Sequence, residues 1–174
     1  VCLNWGCIPS KALLAVVELG DKVKKAAAMG LHVNGPVTYD LSQMVARKNQ
    51  VVTGLVKGIA TLFKAWDIEY VEGRGVLQDR HRLRVMLKDG AERSMSADAI
   101  IIATGSSWPD LPQFPIDGRQ ILTSQQLLDL TAIPRRLLII GGGVEGCEFA
   151  ALYSGLGTDV TIVELMDRIL PLED

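Results

Sequence analysis

Leu137-Leu138-Ile139-Ile140-Gly141-Gly142-Gly143-Val144-Glu145-Gly146, followed downstream by Val160-Thr161-Ile162-Val163-Glu164, is the stretch that decides the fold. Leu137 to Ile140 reads as a short buried strand. The glycines satisfy G-x-G-x-x-G, and a helix to about Leu156 is predicted after them, then a second strand from Val160 to Glu164. Strand, glycine turn, helix and strand make a βαβ unit, so the chain belongs to the α/β class. Gly141 permits the tight turn, Gly143 lets the backbone approach a pyrophosphate, and Gly146 lets helix and strand pack closely. Gly142, Val144, Glu145 and Cys147 fill out the turn and the first residues of the helix, whose N-terminus offers N–H groups and partial positive charge to phosphates. Glu164 lies 23 positions after Gly141, close to the spacing of about 20 at which a carboxylate accepts from a ribose 2′-OH. It would repel a 2′-phosphate, so the pattern favours NAD over NADP. The plainer reading is a glycine-rich turn with a solvated glutamate.

Upstream of this unit the chain alternates helical and extended patterns. Ser10 to Met29 is rich in Ala, Leu, Val and Lys and meets Gly30, a helix C′ residue, with Pro9 in the first turn. A second helix is predicted from Leu41 to Ala65, with Asp40 as N-cap and Gln43 placed for a capping box. Ile68 to Val71 and Val76-Leu77 read as short strands around Gly73 and Gly75. Leu83, Val85 and Leu87 alternate toward the hairpin signal Lys88-Asp89-Gly90. Ala99 to Ala103 reads as a strand buried on both faces. Pro109, Pro112 and Pro115 make Trp108 to Gly118 an irregular loop, and a short helix is expected around Ser124 to Leu130. The domain boundary is expected between Gly118 and Pro134.

The 174 residues suffice for about one domain with a sizeable core; 48% are hydrophobic and 22% charged, a globular composition. The net charge is −2, without a basic stripe, which points away from nucleic acid and from an anionic membrane surface. The apolar runs Ala99 to Ala103 and Leu137 to Ile140 are too short to cross a bilayer.

Three cysteines are too few for a secreted disulfide scaffold. Cys2 and Cys7 enclose Leu-Asn-Trp-Gly, and three readings compete. A zinc site wants about four ligands at closer spacing, and only Cys147, His32 and His81 remain. A staple closing so small a loop constrains little chain entropy. A redox pair fits best: Cys7 stands just before a helix start, where the dipole favours a thiolate, and Lys11 lies one turn on along the same face. His32 and His81 look like exposed loop residues. Trp66, Phe63 and the methionines read as helix core rather than as surfaces for stacking a cofactor.

Val1-Cys2-Leu3-Asn4-Trp5-Gly6-Cys7-Ile8-Pro9-Ser10-Lys11-Ala12-Leu13-Leu14 resembles the redox segment of the flavoprotein disulfide reductases, the pyridine nucleotide–disulfide oxidoreductases. Within that family it looks most like the dihydrolipoyl dehydrogenases, and Gly141 through Glu164-Leu165-Met166-Asp167-Arg168-Ile169-Leu170-Pro171 resembles their NAD segment as closely. The resemblance implies part of a Rossmann-like FAD-binding domain with an inserted β-meander over residues 1–118, a linker over 119–134, and the first βαβ unit of a Rossmann-like NAD-binding domain over 135–174. It implies Cys7 as the thiol against the flavin, Cys2 as the thiol that exchanges with substrate sulfur, and Lys11 near the flavin ring. Thr104, Gly105 and Ser106 would meet FAD at a strand end, Gly75 its adenosine half, and Glu148 would lie near the nicotinamide. Each has a plain alternative: Gly75 and Gly105 as turn glycines, Glu148 as a solvated helix residue, Cys147 as a small buried hydrophobe. Trp5 stands where Val is usual and Glu145 where Ile or Val is usual.

The activity implied is oxidation of dihydrolipoamide on the lipoyl domain of a 2-oxo acid dehydrogenase or related complex, through FAD to NAD, by a homodimer in a reducing compartment: the cytoplasm or, in a eukaryote, the mitochondrial matrix. A first FAD glycine motif is expected upstream, and most of the NAD domain and a dimerisation domain with the catalytic histidine are expected downstream. These 174 residues alone are therefore expected to be inactive.

Overall fold

The computed structural model describes residues 1–109, 111–171 and 173, so Asp110 of the expected loop and Leu172 and Asp174 of the expected NAD segment lie outside the described residues. In chain order the elements are α1 (Cys2–Trp5), α2 (Cys7–Lys25) continued by a 3₁₀ turn (Ala26–Met29), α3 (Leu41–Ala65), β1 (Gly73–Leu77), β2 (Arg82–Leu87), β3 (Glu92–Ser96), α4 (Ser124–Leu127), β4 (Arg136–Ile140), α5 (Val144–Gly155) and β5 (Asp159–Val163). Contacts divide the chain into two units, residues 1–56 with 108–174, and residues 57–107.

In the first unit, α2 starts three residues before the predicted Ser10, because Gly6 at φ −137°, ψ −117° separates it from α1 and Pro9 needs no donor in the first turn. The helical stretch ends at Gly30, whose φ of +83° and bond to the Ala27 carbonyl (3.1 Å) match its expected C′ role. Asp40 caps α3, accepting from the Gln43 N–H at 3.1 Å. The second half of the expected capping box differs: the Gln43 amide donates to the Asp40 carboxylate (2.8 Å), a charged acceptor, instead of reaching the Asp40 backbone. A complete box forms at α4, between Thr123 and Gln126.

The core of this unit joins Leu13 and Val17 of α2 to Leu41, Met44 and Val45 of α3, to Leu127 and Leu128, and to Phe149, Leu152, Tyr153 and Leu156 around α5. Full burial of each large side chain contributes on the order of 1.5–3 kcal/mol. A Cβ on Gly155 would stand 2.2 Å from Val17 Cγ1, so glycine is what lets α2 and α5 close. The Tyr153 hydroxyl donates to the Leu127 carbonyl (2.7 Å), and burial pushes its phenol up to about 12. Lys48 is buried, donating to the Leu128 carbonyl (3.1 Å) and to Asp129 Oδ1 (2.5 Å). Cys2–Met29 is long and apolar enough to cross a membrane by length and composition alone; here its Leu13 and Val17 face are core.

β4 and β5 pair in parallel from Arg136↔Asp159 to Ile140↔Val163, and α5 connects them, completing the expected βαβ unit. β4 is not the fully buried strand expected. Leu137 and Ile139 pack on the core, whereas Leu138 and Ile140 are exposed, because one face alone is covered among the described residues.

The second unit is an antiparallel meander in the order β1-β2-β3. The turn at Lys88-Asp89-Gly90 forms as expected, with Gly90 at φ +84°. Four expectations fail. Ile68 to Val71 is not a strand: Ile68 N–H bonds the Phe63 carbonyl (2.8 Å) to close α3, and pairing begins only at Gly73. Ala99 to Ala103 is not a buried strand, and Ile101 is 90% exposed. A strand takes its hydrogen bonds from neighbours, and no described residue pairs with this run. The expected helix core at Trp66 and Met29 is instead exposed surface, since α3 buries nothing beyond Lys48 and Met29 sits in the terminal 3₁₀ turn. The helix expected as far as Leu130 stops at Leu127, after which the Asp129 and Leu130 N–H groups bond back only three residues, to the Gln126 and Leu127 carbonyls, in a tighter turn.

Candidate active site

The redox candidates are built by a helix break. Gly6 lies close above α1, where a Cβ would stand 3.2 Å from Cys2 Cα and 3.5 Å from the Val1 carbonyl. That close approach folds α1 back on the start of α2 and puts Cys2 beside Cys7. Both are free, exposed thiols. Cys7 is the first residue of α2 and so sits at the positive end of a 19-residue helix. Its thiol is nonetheless pushed up, chiefly by its hydrogen bond with the Cys2 thiol, while the Lys11 charge pulls it down. One turn on, Lys11 is ion-paired with Glu148 of α5, and that carboxylate raises the ammonium. Ser10, buried, has its Oγ 3.2 Å from Glu148 Oε2 and 3.1 Å from the Cys7 carbonyl. Two consecutive residues of the cysteine helix thus hold both oxygens of one carboxylate on the glycine-motif helix.

The glycine loop is equally specific. Gly141 has φ +107°, which suits its turn role. A Cβ on Gly146 would stand 2.0 Å from the Gly141 carbonyl oxygen, so α5 can touch the loop only without a side chain there. Around Gly143 a Cβ would meet nothing within 4 Å, and Gly143, the N-cap of α5, provides no side-chain cap. The first N–H groups of α5 have no intrahelical acceptor and no cap, leaving an open backbone surface that fits a pyrophosphate. Glu164 Oε2 accepts from Gly142 N (2.6 Å) and Oε1 from Met166 N (2.9 Å); these amides hold the carboxylate below its usual range. Two carboxylate oxygens offer about four acceptor positions, so a ribose hydroxyl still finds one. Glu145 is exposed on the first turn, where a negative charge stabilises the helix end and competes with phosphate for it. Cys147 is half-buried and donates from Sγ to the Gly142 carbonyl (3.3 Å), a support of the loop rather than a purely apolar filler.

The remaining candidates lie in the second unit. Gly75 is on β1 opposite Val85, and Thr104, Gly105 (φ +82°) and Ser106 lie in an exposed segment without regular structure. His32 and His81 are exposed, as expected, and among the described residues no three His, Cys, Asp or Glu side chains cluster for a metal. Sequence reading missed two supports. Ser10 carries no signal beyond its place beside Lys11. The Leu170 N–H, 2.7 Å from the Gly142 carbonyl, folds the segment after Glu164 under the loop.

Residues 1–174 match the family profile described as pyridine nucleotide-disulphide oxidoreductase. This chain belongs to that family. As a pyridine nucleotide-disulphide oxidoreductase it is 43% identical to the dihydrolipoyl dehydrogenase of Bacillus subtilis, over 99% of this chain and 38% of that relative. It is 42% identical to the dihydrolipoyl dehydrogenase of Chlorobaculum tepidum, over 100% of this chain and 37% of that one. Among solved structures, LpdA from Mycobacterium tuberculosis superposes with a TM-score of 0.88 at 34% identity, covering 99% of this chain and 38% of LpdA. The HOCl-induced flavoprotein disulfide reductase RclA from Escherichia coli superposes with a TM-score of 0.75 at 28% identity, over 99% and 35%. The α/β fold is that of this family, which works with flavin and nicotinamide cofactors. The chain spans 38% or less of the length of these relatives.

Proposed function

We propose that the protein carrying this chain is a dihydrolipoyl dehydrogenase that reoxidises protein-bound dihydrolipoamide with NAD+. One observation carries the reading. Helix α2, which opens at Cys7 beside Cys2, docks on the helix of the nucleotide fingerprint through Ser10, Lys11 and Glu148. A redox pair and a hydride-acceptor site are thereby held by one short polar bridge.

The chain's own chemistry starts from the oxidised pair. A substrate thiolate attacks Cys2 Sγ, and Cys7 leaves as a thiolate supported by the α2 N-terminus and Lys11. The second substrate thiol attacks the mixed disulfide, releasing Cys2 as a thiol and the substrate as lipoamide. One substrate dithiol is oxidised and one protein disulfide reduced, two electrons each. FAD, when bound, supplies the relay by which the reduced pair hands those electrons to NAD+. Gly75, Thr104, Gly105 and Ser106 would help hold FAD. Gly141 to Glu148 and Glu164 would seat NAD+, and the Glu164 carboxylate disfavours NADP+.

Residues 1–118 would belong to the FAD domain, 119–134 to a linker and 135–174 to the start of the NAD domain. The partner would be a lipoyl domain, the assembly a homodimer, and the compartment the cytoplasm or mitochondrial matrix. The test uses the full-length protein with FAD, comparing NADH with NADPH and lipoamide with glutathione disulfide and mercuric ion. Lipoamide turnover with NADH supports the reading; NADPH-driven reduction of either other substrate replaces it with a glutathione or mercuric reductase. A protein whose cysteines never accept electrons would be a non-catalytic cofactor-binding module.

A further inference from the structure

We infer that Ser10 is a positioning residue, its hydroxyl tying the Glu148 carboxylate to the redox turn and so fixing where the Lys11 ammonium stands beside Cys7. The inference rests on the redox role proposed for Cys7.

Ser10 is 6% exposed, and its hydroxyl faces two acceptors, the Cys7 carbonyl at 3.1 Å and Glu148 Oε2 at 3.2 Å. It has one proton to give. A helical serine that bonded only the carbonyl three residues back would be a routine local back-bond. The second acceptor, 138 positions away on α5, is not local. Lys11 binds the other oxygen of the same carboxylate. When that proton goes to Glu148, both carboxylate oxygens are anchored to neighbouring residues of α2, which restrains the carboxylate plane.

Without the Ser10 hydroxyl, Glu148 would keep Lys11 as its sole partner from α2. The Lys11 side chain is long and 60% exposed, so it is free to follow the carboxylate. The charged or titratable groups facing this turn are Cys2 from α1, Lys11 from α2 and Glu148 from α5, with Arg47 of α3 engaged on the Ala12 carbonyl one turn on. Of these, Lys11 is the cation that favours the Cys7 thiolate. Drawing it toward a freed Glu148 removes that support.

The experiment uses the full-length FAD-loaded protein, reduced by two electrons, and follows against pH the long-wavelength absorbance of a thiolate stacked on oxidised flavin. Ser10→Ala is expected to lower the thiolate-to-thiol ratio of Cys7 about threefold on the rising limb, the scale of one modest hydrogen bond. Ser10→Thr should restore the wild-type profile. In a Glu148→Gln background, Ser10→Ala should add nothing, because the two act through one contact. Should Ser10→Ala misfold, the near-isosteric pair Ser10→Thr and Ser10→Val, which differ in the hydroxyl, decides the matter. An unchanged profile in Ser10→Ala, or an equal loss with Glu148→Gln already present, overturns the inference. A wild-type protein lacking the absorbance would instead sink the redox reading itself.

Discussion

Substituting Gly146 by alanine separates the packing of the glycine loop from the dinucleotide binding proposed for it. The added Cβ would stand 2.0 Å from the Gly141 carbonyl oxygen and 3.1 Å from its carbon. Real Cβ contacts under 3.0 Å are essentially never seen, so at least 1.0 Å must open between α5 and the loop. Both parties are backbone, with no side chain to swing aside. Overpacking of this kind costs about 1–3 kcal/mol, and about 2–4 °C of melting temperature per kcal/mol in a chain of this length. The melting temperature of Gly146→Ala should thus fall by roughly 2–12 °C. A displacement of about 1 Å in a cradle whose donors must converge on one ligand costs on the order of 100-fold in productive geometry. Gly143→Ala is the control, because nothing lies within 4 Å of its Cβ and its φ of −71° is ordinary. It should melt with the wild type yet weaken NADH binding at least tenfold if the pyrophosphate lies where that Cβ would point. Differential scanning fluorimetry and NADH titration calorimetry read the two effects separately. A Gly146→Ala protein that melts within a degree of wild type, or a Gly143→Ala protein that binds NADH normally, would refute the assignment of roles.

Asp129→Ala strands the buried Lys48 ammonium on the Leu128 carbonyl alone and should cost about 2–4 kcal/mol in urea unfolding, whereas Lys48→Met, which removes the charge as well, should cost less. The Tyr39 hydroxyl is buried against Gly20 and has no partner among the described residues, so Tyr39→Phe should stabilise the protein by up to about 1 kcal/mol in the same assay. Glu164 is held below the usual carboxylate range by the Met166 and Gly142 amides, so the stability it adds is complete above the ordinary glutamate range and disappears as pH falls through its depressed value. Denaturation midpoints measured across the acid range should therefore fall less steeply for Glu164→Gln; an unchanged acid limb would show that the carboxylate is not holding the loop.

What was legible in the sequence was local. Gly30, Asp40, Gly90 and the βαβ unit fell where expected because caps, positive-φ turns and helix–strand periodicity are settled within a few residues. The cysteine helix and the fingerprint helix were both readable for the same reason. The failures were of another kind. Ala99 to Ala103 has the composition of a buried strand, yet its Ile101 is 90% exposed, since strand identity depends on a neighbour that composition does not specify. Trp66 has an apolar side chain at the end of a helix, but burial requires a second surface. β3, Glu92–Ser96, has almost no apolar residues and exists because β2 offers it hydrogen bonds.

The bridge between the two motifs belongs to the same class of hidden information. No spacing in the sequence relates Ser10 and Lys11 to Glu148, 138 and 137 positions away. What brings them together is apolar and far from any motif. Val17 of α2 fits over Gly155 of α5, where a Cβ would stand 2.2 Å from Val17 Cγ1, and Leu13 and Leu152 fill the core alongside. The polar bridge sits about two turns away from that contact on each helix, at the ends carrying Cys7 and Gly143. A bulkier residue at 155 should then act at a distance, prising α2 from α5 and loosening the grip of Ser10 and Lys11 on Glu148 without touching a candidate site residue. The fingerprint loop, built within α5, β4 and β5, should survive it. Gly155→Ala in the full-length protein is accordingly expected to retain NADH binding while losing Cys7 thiolate in the manner of Ser10→Ala. Loss of both together would mean that the two sites are joined by more than this pair of helices.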